Sequence, residues 1–338
     1  MIDSKESALR SKVVITLSLI SIIVLFLVSI SIGKYQLSLE DIYQIITKTH
    51  NNPMAYNVFY KLRLPRSIMA VIAGMGLGMA GSVFQTIFKN PLASPDIIGV
   101  TSGANVGAAF SIVFFSGSTL AVAFGAFGGG LVAMALVIGL VKLSDTRDVQ
   151  AYVLSGIIIS AISNGIIMAL KYFSNPENTL GAIEFWTMGS FGSITSKKLG
   201  MVLPMFLIGM IGIFLFRWTI NVLSLDDDEV RALGISVERS RYLILLFATL
   251  IVASIISVTG LISFVALIPP HVARSILKKN DFKTNIFSGL LGAILMIVSD
   301  CIARSLLHSE LPISIITSLI GAPYLAFLLI SKNLGRVN

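Results

Sequence analysis

Eight charged residues crowd the sixteen positions Asp226–Arg241, in a chain with only 25 basic and 17 acidic side chains among 338 residues. The stretch reads Asp226-Asp227-Asp228-Glu229-Val230-Arg231-Ala232-Leu233-Gly234-Ile235-Ser236-Val237-Glu238-Arg239-Ser240-Arg241, with long apolar runs on both sides. The chemistry open to it is recognition: it leaves the apolar body of the chain to meet a protein partner. The four acids Asp226–Glu229 suit a helix N-terminus, where the backbone dipole favours negative charge. Ala232-Leu233 offers a small apolar knob, and Gly234 can take the left-handed turn that ends a helix.

Two other groups of charges stand out. Lys61-Leu62-Arg63-Leu64-Pro65-Arg66 opens an apolar run, and a helix N-terminus disfavours arginine. Two roles fit Arg63 and Arg66: snorkelling to lipid phosphates, or receiving a partner's acidic side chains, which arginine forks suit. Asp300 and Arg304, four apart near the end of another run, can form an intrahelical pair. Alternatively, Arg304 shares an acidic partner with Arg63 and Arg66. His50, His271 and His308 are widely spaced with no clustered thiols or carboxylates, which argues against an intrinsic metal site. Cys301 is the only cysteine. There is no Gly-x-x-x-x-Gly-Lys-Ser/Thr phosphate loop. No Ser/His/Asp or Cys/His set stands in a plausible catalytic context, so an enzyme is disfavoured.

The elements that position these residues are membrane spans. Apolar residues make up 55% of the chain and charged residues 12%, the balance of a polytopic membrane protein. Runs long enough to span lie at Val13–Ile32, Arg66–Phe88, Ile97–Ser116, Leu120–Val141, Ala151–Leu170, Leu199–Phe216, Arg241–Val258, Leu261–Leu277, Ile286–Ala303 and Ile313–Ile330. The first is too long for a signal-peptide core and reads as a retained span. Pro269-Pro270 interrupts the eighth. Ten spans place both termini on one side. With them inside, sixteen of the 25 basic residues fall in cytoplasmic segments, Arg147, Lys332 and Arg336 among them, and Lys34 falls outside. That bias favours an N-in, C-in bundle. The stretch 226–241 is then cytoplasmic, and Arg63, Arg66 and Arg304 are outer.

Gly74, Gly78 and Ser82 share a face of the second span, and Gly99, Gly103 and Gly107 repeat the device in the third. Small residues four apart let helices approach closely in lipid. Between these spans, Lys89-Asn90-Pro91-Leu92-Ala93-Ser94-Pro95-Asp96 reads as a turn with Ser94 as the next helix's N-cap. It is either an ordinary cytoplasmic turn or a pore constriction. The outer segment around Gly181–Ser190 can form a short interfacial helix anchored by Trp186.

Taken together, the ordered strings form a pattern: Arg63-Leu64-Pro65-Arg66, Asn90-Pro91-Leu92-Ala93-Ser94-Pro95, Trp186-Thr187-Met188-Gly189-Ser190, Glu229-Val230-Arg231-Ala232-Leu233-Gly234, Pro269-Pro270-His271, Asp300-Cys301-Ile302-Ala303-Arg304 and Glu310-Leu311-Pro312-Ile313. Over nearly the whole chain this resembles the FecCD-family permease subunits of iron-siderophore, haem and cobalamin ABC importers. The resemblance implies an all-α polytopic membrane protein: a single permease domain over residues 1–338, folded as a ten-helix bundle in a bacterial cytoplasmic membrane. It implies a second permease subunit, identical or paralogous, two ATPase subunits carrying ATP and magnesium, and an extracytoplasmic substrate-binding protein. The chain itself would bind no cofactor and catalyse nothing, and would carry a ferric siderophore. Haem or cobalamin import, and ion-coupled secondary transport, are the alternatives. The binding protein would dock at Arg63, Arg66 and Arg304. The ATPase would couple through Asp228, Glu229, Arg231, Ala232, Leu233 and Gly234. The cytoplasmic gate would comprise Asn90, Pro91 and Leu92 with Val149 and Gln150, where family members carry small hydroxyl residues. The family's Val-Pro-His stands here as Pro269-Pro270-His271, an extra proline that would stiffen or kink its helix.

Overall fold

The computed structural model describes residues 2–33, 35–144, 149–306 and 309–334; Lys34, Arg147, His308 and Arg336 lie outside them. Among the described residues the chain is helical and contains no strand. In order come α1 (Ile2–Ser31), α2 (Leu39–Ile46), α3 (Pro53–Asn57), α4 (Leu64–Ile87), α5 (Val100–Phe114), α6 (Thr119–Leu143), α7 (Val149–Tyr172), α8 (Gly181–Thr187), α9 (Ser196–Leu215), α10 (Arg217–Val222), α11 (Asp227–Ala232), α12 (Val237–Thr259), α13 (Ile268–Leu277), α14 (Phe282–Ser305) and α15 (Ile313–Leu334). Wider π turns at Val58–Arg63 and Pro176–Leu180 lead into α4 and α8.

Seven helical segments are long and apolar enough to cross a bilayer: those of α1, α4, α6, α7, α9, α12 and α14. The apolar helix α5 is shorter. Segment α4, counted with its lead-in, is buried over 78% of its most apolar stretch and α12 over 72%, whereas α1 is buried over only 17%. The centre of the bundle is therefore α4, α12 and α14, and α1 lies at its edge.

Small residues explain this arrangement. A Cβ on Gly74 or Gly78 would overlap the backbone of α14 at Gly292 and Ser288. Ser288 Oγ donates to the Gly78 carbonyl at 2.7 Å, and Ser82 Oγ donates to Asn285 Oδ1 at 2.6 Å. The face Gly74–Gly78–Ser82 is thus a helix-packing seam, joined by close backbone approach and interhelical hydrogen bonds where apolar burial gives no drive. The second glycine series packs α5 against α6 in the same way, with Gly103 and Gly107 meeting the backbone at Gly129 and Gly125.

Two sequence expectations are corrected. The sequence predicts a span over Leu261–Leu277, but helix begins only at Ile268. Pro269-Pro270 falls in the first turn of α13, where a missing N–H costs nothing, so the prolines open a helix and do not kink one. The residues before it, from Gly260 to Leu267, run irregularly, with Gly260 and Phe264 at φ +72° and +66°. Irregular backbone at membrane depth persists only where protein surrounds it. Here Ser190 N donates to Thr259 O at 2.7 Å, Ser314 Oγ donates to Leu261 O at 2.7 Å, and α4 presses Gly81 against the Ala266 carbonyl. The second correction concerns Ser94. It caps no helix; residues 94–99 form successive turns, and α5 starts after Gly99, whose φ of +80° supplies the change of direction. The short helix at 181–187 is present as α8. Trp186 is half-buried against the core, and its carbonyl abuts Gly260.

Replacing Gly81 with alanine places a methyl group on the Ala266 backbone, and overpacking of this kind costs about 1–3 kcal/mol. Gly128→Ala, at a position with open space, should stay within about 0.5 kcal/mol of wild type. Thermal unfolding of the detergent-solubilised protein should show a lowered midpoint for the first variant only; equal midpoints would refute the packing account.

Candidate functional site

At the end of the bundle where α4 begins, the three arginines gather around two carboxylates and the end of α1. Pro65 has no N–H to donate, and the backbone ahead of it widens, with Leu64 N donating five residues back to Phe59 O. Arg63, at the close of this π turn, is buried. Its Nη1 donates to Ile30 O at 2.6 Å and Ser31 O at 2.7 Å, and its Nη2 to Tyr35 O. Arg304 Nη2 donates to both the carbonyl and hydroxyl of Ser29 at 2.7 Å. The last carbonyls of a helix have no partner within it and carry the negative end of the dipole. Arg63, which the dipole of α4 disfavours, and Arg304, at the end of α14, therefore close the C-terminus of α1.

Arg66 makes the ion-pair centre. Its Nε donates to Asp300 Oδ1 at 2.9 Å, and its Nη1 reaches both Glu310 oxygens at 2.9 Å. Asp300 is fully buried and also lies 3.5 Å from Arg304 Nε, so the intrahelical pair exists within a larger network. The Glu310 side chain is 42% exposed and is the open edge of the cluster. Arg63, Arg66, Arg304 and Glu310 line one cavity of about 320 Å³. The three arginines lie together in space, but only Arg66 and Arg304 share an acidic partner, Asp300, while Arg63 meets backbone carbonyls. Their guanidinium groups already have partners within the chain. Glu310 entered the sequence reading only as the first residue of Glu310-Leu311-Pro312-Ile313, with no role assigned to its carboxylate.

The opposite end holds the charged stretch. Asp227, Asp228 and Glu229 form the first turn of α11 and Val230 is buried beneath it. Leu233 is 56% exposed. Gly234 follows at φ +79°, its N–H donating to Arg231 O at 2.9 Å. A residue with a Cβ is strained there although nothing else lies within 4 Å. Arg231 reaches Asp228 at 3.6 Å and Glu238 at 3.0 Å. Arg241, 2% exposed, donates to Asp227 Oδ1 at 2.8 Å and ties α12 to α11, whereas Arg239 stays exposed. Partial burial pushes the Asp227 carboxyl up, but the Lys89 hydrogen bond and the Arg241 charge outweigh it and hold it below the ordinary carboxylate value.

The turn after α4 lies beside this helix. Asn90 Oδ1 accepts from Leu92 N at 2.9 Å, a local bond that shapes Asn90-Pro91-Leu92, with Pro91 and Leu92 exposed. Val149 and Gln150 open α7 and share a recess of about 460 Å³ with Lys89, Asp226, Asp227, Asp228 and Arg241. Val149 and Gln150 therefore border the charged stretch, and Lys89, next to Asn90, is bonded to it. Among the described residues, no group of three or more His, Cys, Asp or Glu side chains is placed to hold a metal ion.

Residues 21–331 match the family model of the FecCD transport family. The chain belongs to that family. The molybdate import system permease protein MolB of Haemophilus influenzae is 35% identical over 94% of this chain and 95% of its own length. The ferric enterobactin transport system permease protein FepG of Escherichia coli is 34% identical over 80% and 82%. A solved metal-chelate type ABC transporter in an inward-facing conformation has a TM-score of 0.85 at 33% identity, covering 95% of this chain and 99% of that one. This FecCD-family chain is an integral membrane protein and an ABC importer permease of the metal-chelate type. Its family consists of transport subunits and not of catalysts.

Arg66→Met leaves Asp300 buried with its main partner gone, a change that costs about 3–5 kcal/mol for a buried pair. Glu310→Gln, at the exposed edge, should cost under about 1 kcal/mol. Denaturant titration in detergent checks the ranking, and a larger loss from the Glu310 variant would reverse the assignment of the buried partner.

Proposed function

We propose that this chain is the permease subunit of an ATP-driven importer and forms, with a second permease, the path for a ferric siderophore delivered by a binding protein. The observation that carries this reading is the family match over residues 21–331, joined to a short, exposed helix beside the Asn90–Leu92 turn at one end of the bundle. The chain is one transmembrane domain crossing a bacterial cytoplasmic membrane ten times. The crossings comprise the seven long helices with α5, α15 and the half-length α13, and both termini lie inside. The positive-inside bias supports that orientation.

In this arrangement α10 and α11 seat on an ATPase subunit. Asp228, Glu229, Arg231, Ala232 and Leu233 form the contact, and Gly234 forms the turn. ATP and magnesium belong to the ATPase, and the chain binds no cofactor of its own. The binding protein docks over the outer arginine cluster: Arg63 and Arg304 hold the end of α1 in place, and Arg66 with Glu310 forms the charged edge it meets. Asn90, Pro91, Leu92, Val149 and Gln150 form the inner gate. The substrate class has a second reading, because the 35% identity to a molybdate permease favours an oxyanion as cargo.

The test is reconstitution in liposomes with a candidate ATPase and binding protein. Uptake of a ferric hydroxamate, a ferric catecholate, haem and molybdate is measured against ATP turnover. The proposal expects ATP-dependent uptake of one of the first two; uptake of molybdate alone moves the cargo to the second reading, and absence of assembly sinks both. In the same system Gly234→Val should lower uptake per ATP by roughly tenfold, as expected for about 1–2 kcal/mol of left-handed strain in the coupling turn.

A further inference from the structure

A single carboxylate oxygen joins three elements at the inner end of the bundle. Asp227 Oδ1 accepts from Lys89 Nζ at 2.8 Å and from Arg241 Nη2 at 2.8 Å. Lys89 lies between α4 and the Asn90–Leu92 turn, in a left-handed conformation (φ +46°) that fixes the direction in which its side chain leaves. Arg241 lies in α12 and is almost wholly buried.

The six-residue α11 buries only Val230, and its ties to the bundle besides that side chain are the ion pairs of Asp227 with Lys89 and Arg241 and of Arg231 with Glu238, of which only the Asp227–Lys89 pair reaches the turn. An aromatic chain runs beside the ion triplet: Phe88 meets Tyr152 at 5.3 Å between ring centroids, and Tyr152 meets Tyr242 at 6.3 Å. The end of α4, the start of α7 and the start of α12 are therefore packed together on the side where Asp227 holds α11.

We infer that Asp227 is a positioning residue that makes α11 and the Lys89–Leu92 turn move as one body, so that displacement of the coupling helix reaches the gate directly. The inference rests on the proposed coupling role of α11. The geometry separates the two halves of the link. Arg241 pins Asp227 to α12, and losing that contact leaves a buried guanidinium without its partner. Lys89 is partly exposed, contributes little to stability, and carries the connection to the turn alone.

Lys89→Gln is therefore the clean variant, since it removes the charge, keeps an unbranched side chain and leaves Arg241 paired. Spin labels on Leu92→Cys and Leu225→Cys, in a Cys301→Ser background, report the distance from the turn to the loop before α11. The permease–ATPase complex in nanodiscs is compared without nucleotide and after trapping with ATP and vanadate. The link expects one unchanged distance in both states, a second distance population on trapping in Lys89→Gln, and its disappearance in Lys89→Arg. A distance that shifts on trapping with Lys89 present, or a Lys89→Gln variant that behaves as Lys89 does, overturns the link while leaving the coupling reading standing. A chain that assembles with no ATPase overturns the coupling reading and the link together.

Discussion

Water is absent where this chain does most of its folding, so every backbone carbonyl and every charge at that depth must be met by another part of the chain. The end of α1 is the plainest case. Its closing carbonyls, at Ser29, Ile30 and Ser31, receive guanidinium groups from Arg63 and Arg304, which come from two other elements. The same two arginines stand beside Arg66, whose charge is balanced by Asp300 and Glu310. The peripheral helix α1, the central helix α4 and the end of α14 are thereby fixed to one another at one level, although α1 buries little of its apolar surface. The same requirement governs Gly260–Leu267, where irregular backbone is bonded by Ser190 and Ser314.

The spans were largely legible because lipid excludes charge: the apolar runs and the helices agree to within a few residues for α4, α6, α7, α9, α12 and α14, and for the end of α1, whose helix begins eleven residues before its apolar run. The seam of α4 was legible too, since glycine at every fourth residue serves close approach. The irregular stretch before α13 was not, because hydropathy registers burial and cannot tell a helix crossing lipid from a loop wrapped in protein. Gly260 and Pro269-Pro270 were its only marks. Nor did the sequence reveal what the outer arginines hold. Their partners are backbone carbonyls of α1, which carry no residue-type signal, and a glutamate distant in the chain. Around α11 the legible part was local, the acids, the apolar knob and Gly234, while the bond from Asp227 to Lys89, 138 residues apart, emerged only in space.

The two ends of the bundle divide the labour. At one end Arg63, Arg66, Arg304 and Asp300 are buried and paired, with Glu310 at the open edge of the cluster. The other end has short helices, exposed Leu233 and a carboxylate shared between two cations. The short helices α10 and α11 bury few side chains, so they are the elements that can shift without disturbing the packed helices.

The π turn at Val58–Arg63 carries an implication for how this gene can drift. A π turn holds one residue more than the α-helical turn it replaces, so it absorbs that residue locally and leaves the segments on either side in nearly the register of an uninterrupted helix. A one-residue deletion in regular helix turns everything before it by about 100°, whereas one within this turn closes it to ordinary helix and leaves the small core of α2 and α3 close to the end of α1. Single-residue changes of length should therefore be tolerated inside the turn and not on either side of it.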